Sequence, residues 1–185
     1  MPASDEKIAK AVQMGDIDAF GELISRYEPK LQRYARRFLN RSEEIDDTVQ
    51  DVFIKAYTNI QSFDPTLSFS PWIYRIAHNL FVNELRRKER VGLIFDADSL
   101  LPNLSAKESA DDLVLGKERI IEMESALATL PAKYREVVQL YYFDEFSYQE
   151  ISDILKIPIT TIGVRLKRAR EKIEVYYKNQ KAYHE

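Results

Sequence analysis

The chain has 185 residues, a formal net charge of −3, two histidines and no cysteine. That length holds one large domain or two small ones, and 45% hydrophobic with 31% charged residues is a globular composition. Disulfides, thiolate chemistry and cysteine-bound zinc are excluded, His78 and His184 are too far apart in sequence to suggest imidazole catalysis or a metal site, and a cytoplasmic location is expected.

Ser4 caps a first short helix that ends at Gly15. Residues 1–15 mix acids and lysines without an apolar run, so no signal peptide is expected, and no stretch approaches the roughly 20 apolar residues that cross a bilayer. A second helix is predicted from Asp16 to about Tyr27. Pro29 suits the first turn of a third, ending near Asn40. Ser42 is read as the cap of a fourth, with Glu43 and Glu44 against its N-terminal dipole. Its apolar stripe is Ile45, Val49, Val52, Phe53, Ala56 and Ile60. Residues 43–51 hold five acids and no base. Glu43, Asp47, Gln50, Asp51 and Ile54 share the outer face, which repels DNA and is either simply solvated or a dock for a basic protein.

Residues 62–69 break the pattern at Asp64-Pro65. Ser70-Pro71 reads as a cap and first helical residue of a helix running to about Arg90. Ile73, Ile76, Ala77 and Leu80 form its core face. Trp72, Arg75, Asn79, Asn83, Arg86 and Arg90 fall on another face, a set suited to stacking, base edges and phosphates. The plainer reading buries Trp72 and solvates the arginines. Phe63, Leu67 and Phe69 before the helix either border a pocket for an unstacked base or cover the core. His78 reads as a surface or nucleic-acid contact rather than a general base.

Residues 91–112 read as a flexible linker, within an acidic stretch: residues 96–124 hold eight acids and three bases. Helices follow at about 113–129, 131–143 and 147–155, then a basic one at about 159–178. Residues 165–178 hold six bases and two acids. Ser147-Tyr-Gln-Glu150 is a capping box, and Lys156-Ile157-Pro158 is a three-residue break. Ile162, Leu166, Ala169, Ile173 and Tyr176 make one apolar stripe. The pair is a helix-turn-helix pattern, leaving Thr160, Thr161, Val164, Arg165, Lys167 and Arg168 for base edges and phosphates. A helical hairpin with a solvated basic face is the alternative. The fold class is all-α: two small helical domains, 1–90 and 113–185, joined by the acidic linker.

The motifs resemble a known family. Asp47-Thr-Val-Gln50-Asp51-Val-Phe53-Ile-Lys55-Ala-Tyr57, Trp72-Ile-Tyr-Arg75-Ile-Ala77-His-Asn79 and Glu84-Leu-Arg86-Arg87 are similar to region 2 of extracytoplasmic-function (ECF) sigma factors. Leu130-Pro131, Tyr134-Arg135-Glu136-Val137 and Arg165-Leu-Lys-Arg168-Ala-Arg170 are similar to their region 4. The resemblance implies docking on the clamp helices of core RNA polymerase through Asp47, Gln50, Asp51 and Ile54. It implies −10 capture by Phe63, Phe69, Trp72, Arg75, Asn79, Asn83, Arg86, Arg87 and Arg90. It further implies −35 reading by the helix-turn-helix, contact with the polymerase flap, and an anti-sigma partner. No catalytic group, metal or cofactor is implied. Asn83 replaces a common Asp, Lys156 a usual Gly, and Gly163-Val164 a frequent Lys/Arg-Ser pair, so no −35 sequence transfers. A stand-alone regulator with a similar DNA-binding domain and an unrelated helical partner domain is the competing reading. A small enzyme is disfavoured because no nucleophile, base and orienting group recur together.

Overall fold

The computed structural model describes residues 3–90, 123 and 125–182. The linker assigned to 91–112 and most of the helix assigned to 113–129 lie outside them. The chain divides into two compact units, the first holding residues 3–90 and the second the bulk of 123–182. Among the described residues every regular element is helical.

Four helices build the first unit: α1 (Asp5–Gln13), α2 (Ala19–Ala35), α3 (Ser42–Thr58) and α4 (Phe69–Arg90). The Ser4 hydroxyl accepts from the Lys7 N–H at 3.4 Å, and Asp5 and Glu6 sit in the first turn of α1 against its dipole. The helix is left through Gly15, whose φ of +102° is open to glycine at no steric cost.

The second and third predicted helices are one. Phe20, Leu23, Tyr27, Leu31 and Tyr34 form a single buried stripe that runs past Pro29. Pro29 lies on the exposed face, so the Ser25 carbonyl it leaves unbonded is on the solvent side. Continuous burial of the stripe outweighs the roughly 3 kcal/mol that an interior proline costs. The helix ends at Ala35, short of Asn40, and a turn carries buried Phe38 and Leu39.

Ser42 is the first helical residue of α3 and not its cap; Arg41 holds that position without a side-chain bond. The predicted stripe of α3 is buried throughout, and a short 3₁₀ turn, Ile60–Ser62, follows. The start of α4 also differs. It begins at Phe69, and the Phe69 N–H donates to the Glu6 carboxylate of α1 at 3.2 Å, so a distant acid supplies the cap expected from Ser70. The buried face of α4 is Ile73, Tyr74, Ala77 and Phe81; Ile76 and Leu80 are half-buried. Aromatic packing explains the rotation. Tyr34 meets Tyr74, Phe81 and Phe38 at ring separations of 5.3, 5.8 and 5.4 Å.

In the second unit, residues 125–128 are helical, followed by α5 (Ala132–Val138), α6 (Tyr148–Leu155) and α7 (Ile159–Ala182). Beyond α5 the chain widens into a π turn, Gln139–Phe143, closed by the Asp144 N–H on the Gln139 carbonyl at 3.1 Å. Leu127, Leu130, Val137, Leu140, Ile151, Ile162, Leu166 and Ala169 are buried. The capping box forms: the Ser147 N–H donates to Glu150 Oε2 at 2.8 Å and the Glu150 N–H to Ser147 Oγ at 3.3 Å. The break between α6 and α7 turns at Lys156, whose φ of +55° is the left-handed conformation that the usual glycine adopts freely.

Candidate nucleic-acid interface

The outward face of α4 is organised around Trp72. Its ring is half-buried and rests on Phe63 and Phe69, 5.3 and 5.4 Å between centroids, which meet each other at 5.3 Å. Phe63 is 4% exposed and Phe69 fully buried, so neither offers a face to a base as packed. As packed, these two rings form the floor beneath Trp72. Tyr27 extends that floor, 5.4 Å from Phe69. Burial first, then the bond to Asp5, pushes the Tyr27 hydroxyl far above its ordinary pKa and keeps it a donor.

Arg75, Asn79, Asn83, Arg86 and Arg87 are exposed along α4; the side chain of Arg90 lies outside the described residues. Arg87 is turned along its own helix, with Nε 2.9 Å and Nη2 2.5 Å from the two Glu84 oxygens. That hydrogen-bonded pairing holds the Glu84 carboxyl below its usual range and raises Arg87. A cleft of about 250 Å³ opens beside Trp72, lined by Lys55, Asn59, Ser62, Ile76 and Asn79. Lys55, Asn59 and Ser62 were not foreseen as neighbours of Trp72. They come from the end of α3 and the turn after it, where Asn59 Nδ2 donates to the Lys55 carbonyl and Ser62 Oγ to the Asn59 carbonyl, both at 2.7 Å. His78 is half-buried; its Nδ1 lies 3.2 Å from the Tyr34 hydroxyl, tying α4 to α2 rather than facing a ligand.

The acidic face of α3 is separate. Asp47, Gln50, Asp51 and Ile54 are all exposed, Ile54 by 61%. Neither aspartate is in an ion pair among the described residues. At the helix start Glu44 is instead neutralised by Lys88 of α4.

On α7 the predicted reading residues form two adjacent rows. Thr160, Val164 and Lys167 are exposed in one. In the other, Thr161 and Arg165 are half-buried and Arg168 exposed. The Arg168 guanidinium beside the Tyr134 hydroxyl of α5, with Lys133 and Lys172 nearby, lowers the Tyr134 pKa. The three cations make this flank a phosphate-type surface in which sequence reading had placed only Arg168. Gly163 faces inward, where a Cβ would lie 3.6 Å from the Tyr148 ring. Arg135 of α5 is a further missed residue. Its guanidinium donates to the Leu127, Ala128 and Leu130 carbonyls at 3.1, 3.1 and 2.8 Å, and burial lowers its pKa.

Among the described residues no helix is long and apolar enough to cross a membrane. The family model for sigma-70 region 2 matches residues 23–91, and that for sigma-70 region 4 matches residues 120–173. The chain is similar to the ECF RNA polymerase sigma factor SigW of Bacillus subtilis (strain 168), 36% identical across 90% of this chain and 92% of that one. It is similar to the ECF RNA polymerase sigma-E factor of Haemophilus influenzae, 33% identical across 92% and 94% of the two chains. Among solved structures, CnrH in complex with the cytosolic domain of CnrY aligns at a TM-score of 0.69 and 25% identity, over 96% of this chain and 99% of that one.

Proposed function

The chain belongs to the ECF sigma factors of the sigma-70 family, and we propose that its three exposed faces divide the work of initiation. As a sigma factor it binds core RNA polymerase and promoter DNA and directs initiation to that promoter. The stand-alone regulator reading falls away, because the region 2 model covers the unit that reading left unrelated.

The observation that carries the division of labour is the segregation of charge within the first unit. An acidic face with exposed Ile54 lies on α3, and an aromatic and basic face lies on α4. The α3 face, Asp47, Gln50, Asp51 and Ile54, docks on basic clamp helices of the largest polymerase subunit. Opposite charge sets register there, and the apolar residue supplies the buried contact. The α4 face holds the opened −10 strand. Trp72 stacks on an unpaired base, the cleft beside it presents amides from Asn59 and Asn79, and Arg75 and Arg86 meet phosphates. Stacking of this kind is worth about 1–3 kcal/mol per base. It favours the opened strand over the duplex, so melting proceeds by a population shift and the polymerase performs the chemistry. The start of α7 reads the −35 duplex, with Thr160, Thr161, Val164 and Arg165 towards base edges and Lys167, Arg168 and Lys172 towards phosphates. The second unit also packs on the flap of the second-largest subunit.

The domain division we adopt is 1–90, a linker at 91–112, and 113–185, and the site of action is the cytoplasm, where polymerase meets promoter. CnrH is solved in complex with the cytosolic domain of CnrY; that likeness supports a protein partner for this chain, which we take to be the anti-sigma partner that the family resemblance implies. The test is transcription in vitro with the purified chain, core polymerase and a randomised promoter library, reading RNA 5′ ends. Transcripts that require the chain and share spaced −35 and −10 elements are expected. Their absence with core from the chain's own source would refute the assignment.

A further inference from the structure

Helix α1 lies outside every face assigned above, yet it holds both ends of the segment leading into α4. Gln13 Nε2 donates to the Ile60 and Phe63 carbonyls, each at 2.7 Å, and the Gln61 side chain donates back to the Gln13 carbonyl at 3.0 Å. At the far end, Glu6 accepts the Phe69 N–H at 3.2 Å. The helix is itself anchored: Asp5 accepts from the Tyr27 hydroxyl at 2.6 Å and from Arg26 at 2.5 Å. Between the two pins the chain turns on Asp64, whose Oδ1 accepts from the Thr66 N–H at 2.9 Å and the Thr66 hydroxyl at 2.8 Å. Those bonds hold the Asp64 carboxyl below its usual range.

The pinned positions carry a consequence for Trp72. Phe63 and Phe69, held by Gln13 and Glu6 through their backbones, are the two rings on which Trp72 rests. Ile60, the third pinned residue, opens the turn whose Ser62 lines the cleft. We propose that Gln13 and Glu6 are positioning residues for strand capture. By pinning the 60–69 segment, α1 forms the Trp72 platform and its cleft before DNA arrives, so the ordering cost falls on folding rather than on binding. The proposal rests on the reading of α4 as the strand-capturing face.

The experiment uses holoenzyme assembled from the full chain and core polymerase. The probe is the promoter recovered from the library, supplied as duplex and as a template pre-opened across the −10 element. Gln13→Leu removes both donors at similar volume, Glu6→Ala removes the acceptor, and Glu6→Gln keeps one. Glu6→Ala is expected to weaken retention of the pre-opened strand about tenfold, the scale of one lost hydrogen bond, and Gln13→Leu, which loses two, by at least as much. Glu6→Gln should recover most of that loss, and core affinity should hold in all three. Amide exchange at Phe69 should accelerate in Glu6→Ala and return towards wild type in Glu6→Gln. Undiminished strand retention in Gln13→Leu and Glu6→Ala, with wild type retaining the strand, would overturn the positioning role and leave the α4 reading standing. A loss that tracks the folded fraction, with core affinity falling in parallel, would overturn it too, since α1 would then serve stability alone. Should Gln13→Leu fail to fold, the two Glu6 variants decide the matter by the same criteria. A wild-type holoenzyme that does not prefer the pre-opened template would instead refute strand capture by α4, and the positioning role with it.

Discussion

Replacing Arg135 by Met should destabilise the second unit by about 3 kcal/mol and leave the first untouched. The side chain makes three hydrogen bonds to the Leu127, Ala128 and Leu130 carbonyls, at the end of the helical segment that precedes α5. Met keeps comparable bulk and removes all three donors. A net value of about 1 kcal/mol per bond gives roughly 3. A charged donor raises that figure, while relief of the guanidinium desolvation that lowers the Arg135 pKa reduces it. In urea, with a slope of about 1–1.5 kcal/mol per molar for so small a unit, the midpoint should fall by about 2 M. The chain offers a clean internal control. Its one tryptophan, Trp72, is in the first unit, so fluorescence follows that unit alone while far-ultraviolet dichroism follows both. The early transition should appear in dichroism and be absent from fluorescence. Arg135→Lys should lose about half as much, because one ammonium cannot span three carbonyls in the geometry of the fork. A Met variant within about 0.5 kcal/mol of wild type would refute the reasoning, since the carbonyls would then be satisfied without the fork. A Lys variant equal to wild type would show that charge, not geometry, is what the site needs.

Gly163→Ala should stabilise the second unit by about 0.5–1 kcal/mol, because the helix gains propensity and the new methyl meets Tyr148 at ordinary contact distance; a lowered dichroism midpoint would show that this contact cannot accommodate it. Asp47→Arg with Asp51→Arg should weaken core polymerase binding at least a hundredfold by charge reversal at exposed positions, with melting temperature unchanged; unaltered core affinity in a pull-down titration would remove α3 from the docking role. Arg165→Ala and Lys167→Ala should each weaken −35 duplex binding while sparing core binding, and the Lys167 variant should lower the salt slope by about one if it meets a phosphate. Loss of core binding in either would mean that its row on α7 has been misassigned.

The parts of the fold read correctly from sequence are those governed by local rules. The Ser4 cap, the Gly15 exit, the α3 stripe, the Ser147–Glu150 box and the Ile162, Leu166 and Ala169 part of the α7 stripe each depend on residues within a turn or two of one another; Ile173 and Tyr176, further along that stripe, are half-buried. What escaped was set by contacts across the chain. Pro29 announces a helix start locally, but a buried stripe on both sides of it keeps α2 continuous. Ser70 is a good cap by composition, yet Glu6, far earlier in the chain, takes the role one residue sooner. The buried face of α4 is rotated towards Tyr74 and Phe81 because α2 presents Tyr34, which periodicity on α4 alone cannot reveal. The same limit governs the candidate site. The exposed polar row from Arg75 to Arg86 followed from spacing, whereas the depth of Phe63 and Phe69 depended on how the 60–69 segment folds under Trp72. The part Arg135 plays in closing the preceding helical segment is not legible in the sequence, because its acceptors are backbone atoms, which carry no sequence signal.

The way Trp72 sits beside its exposed neighbours bears on how such a factor can diverge. Arg75, Asn79 and Asn83 project from a helix whose opposite face carries the packing, so under the strand-capture role proposed for α4 exchanging them would alter what is read at a cost usually within about 0.5 kcal/mol of stability. Duplicated copies can therefore drift towards separate promoters through these positions while remaining folded. Trp72 would have no such freedom, because any replacement must fit the rings beneath it as well as a captured strand. Under that proposal, discrimination between promoters is free to vary on the rim, while strand capture is tied to the core.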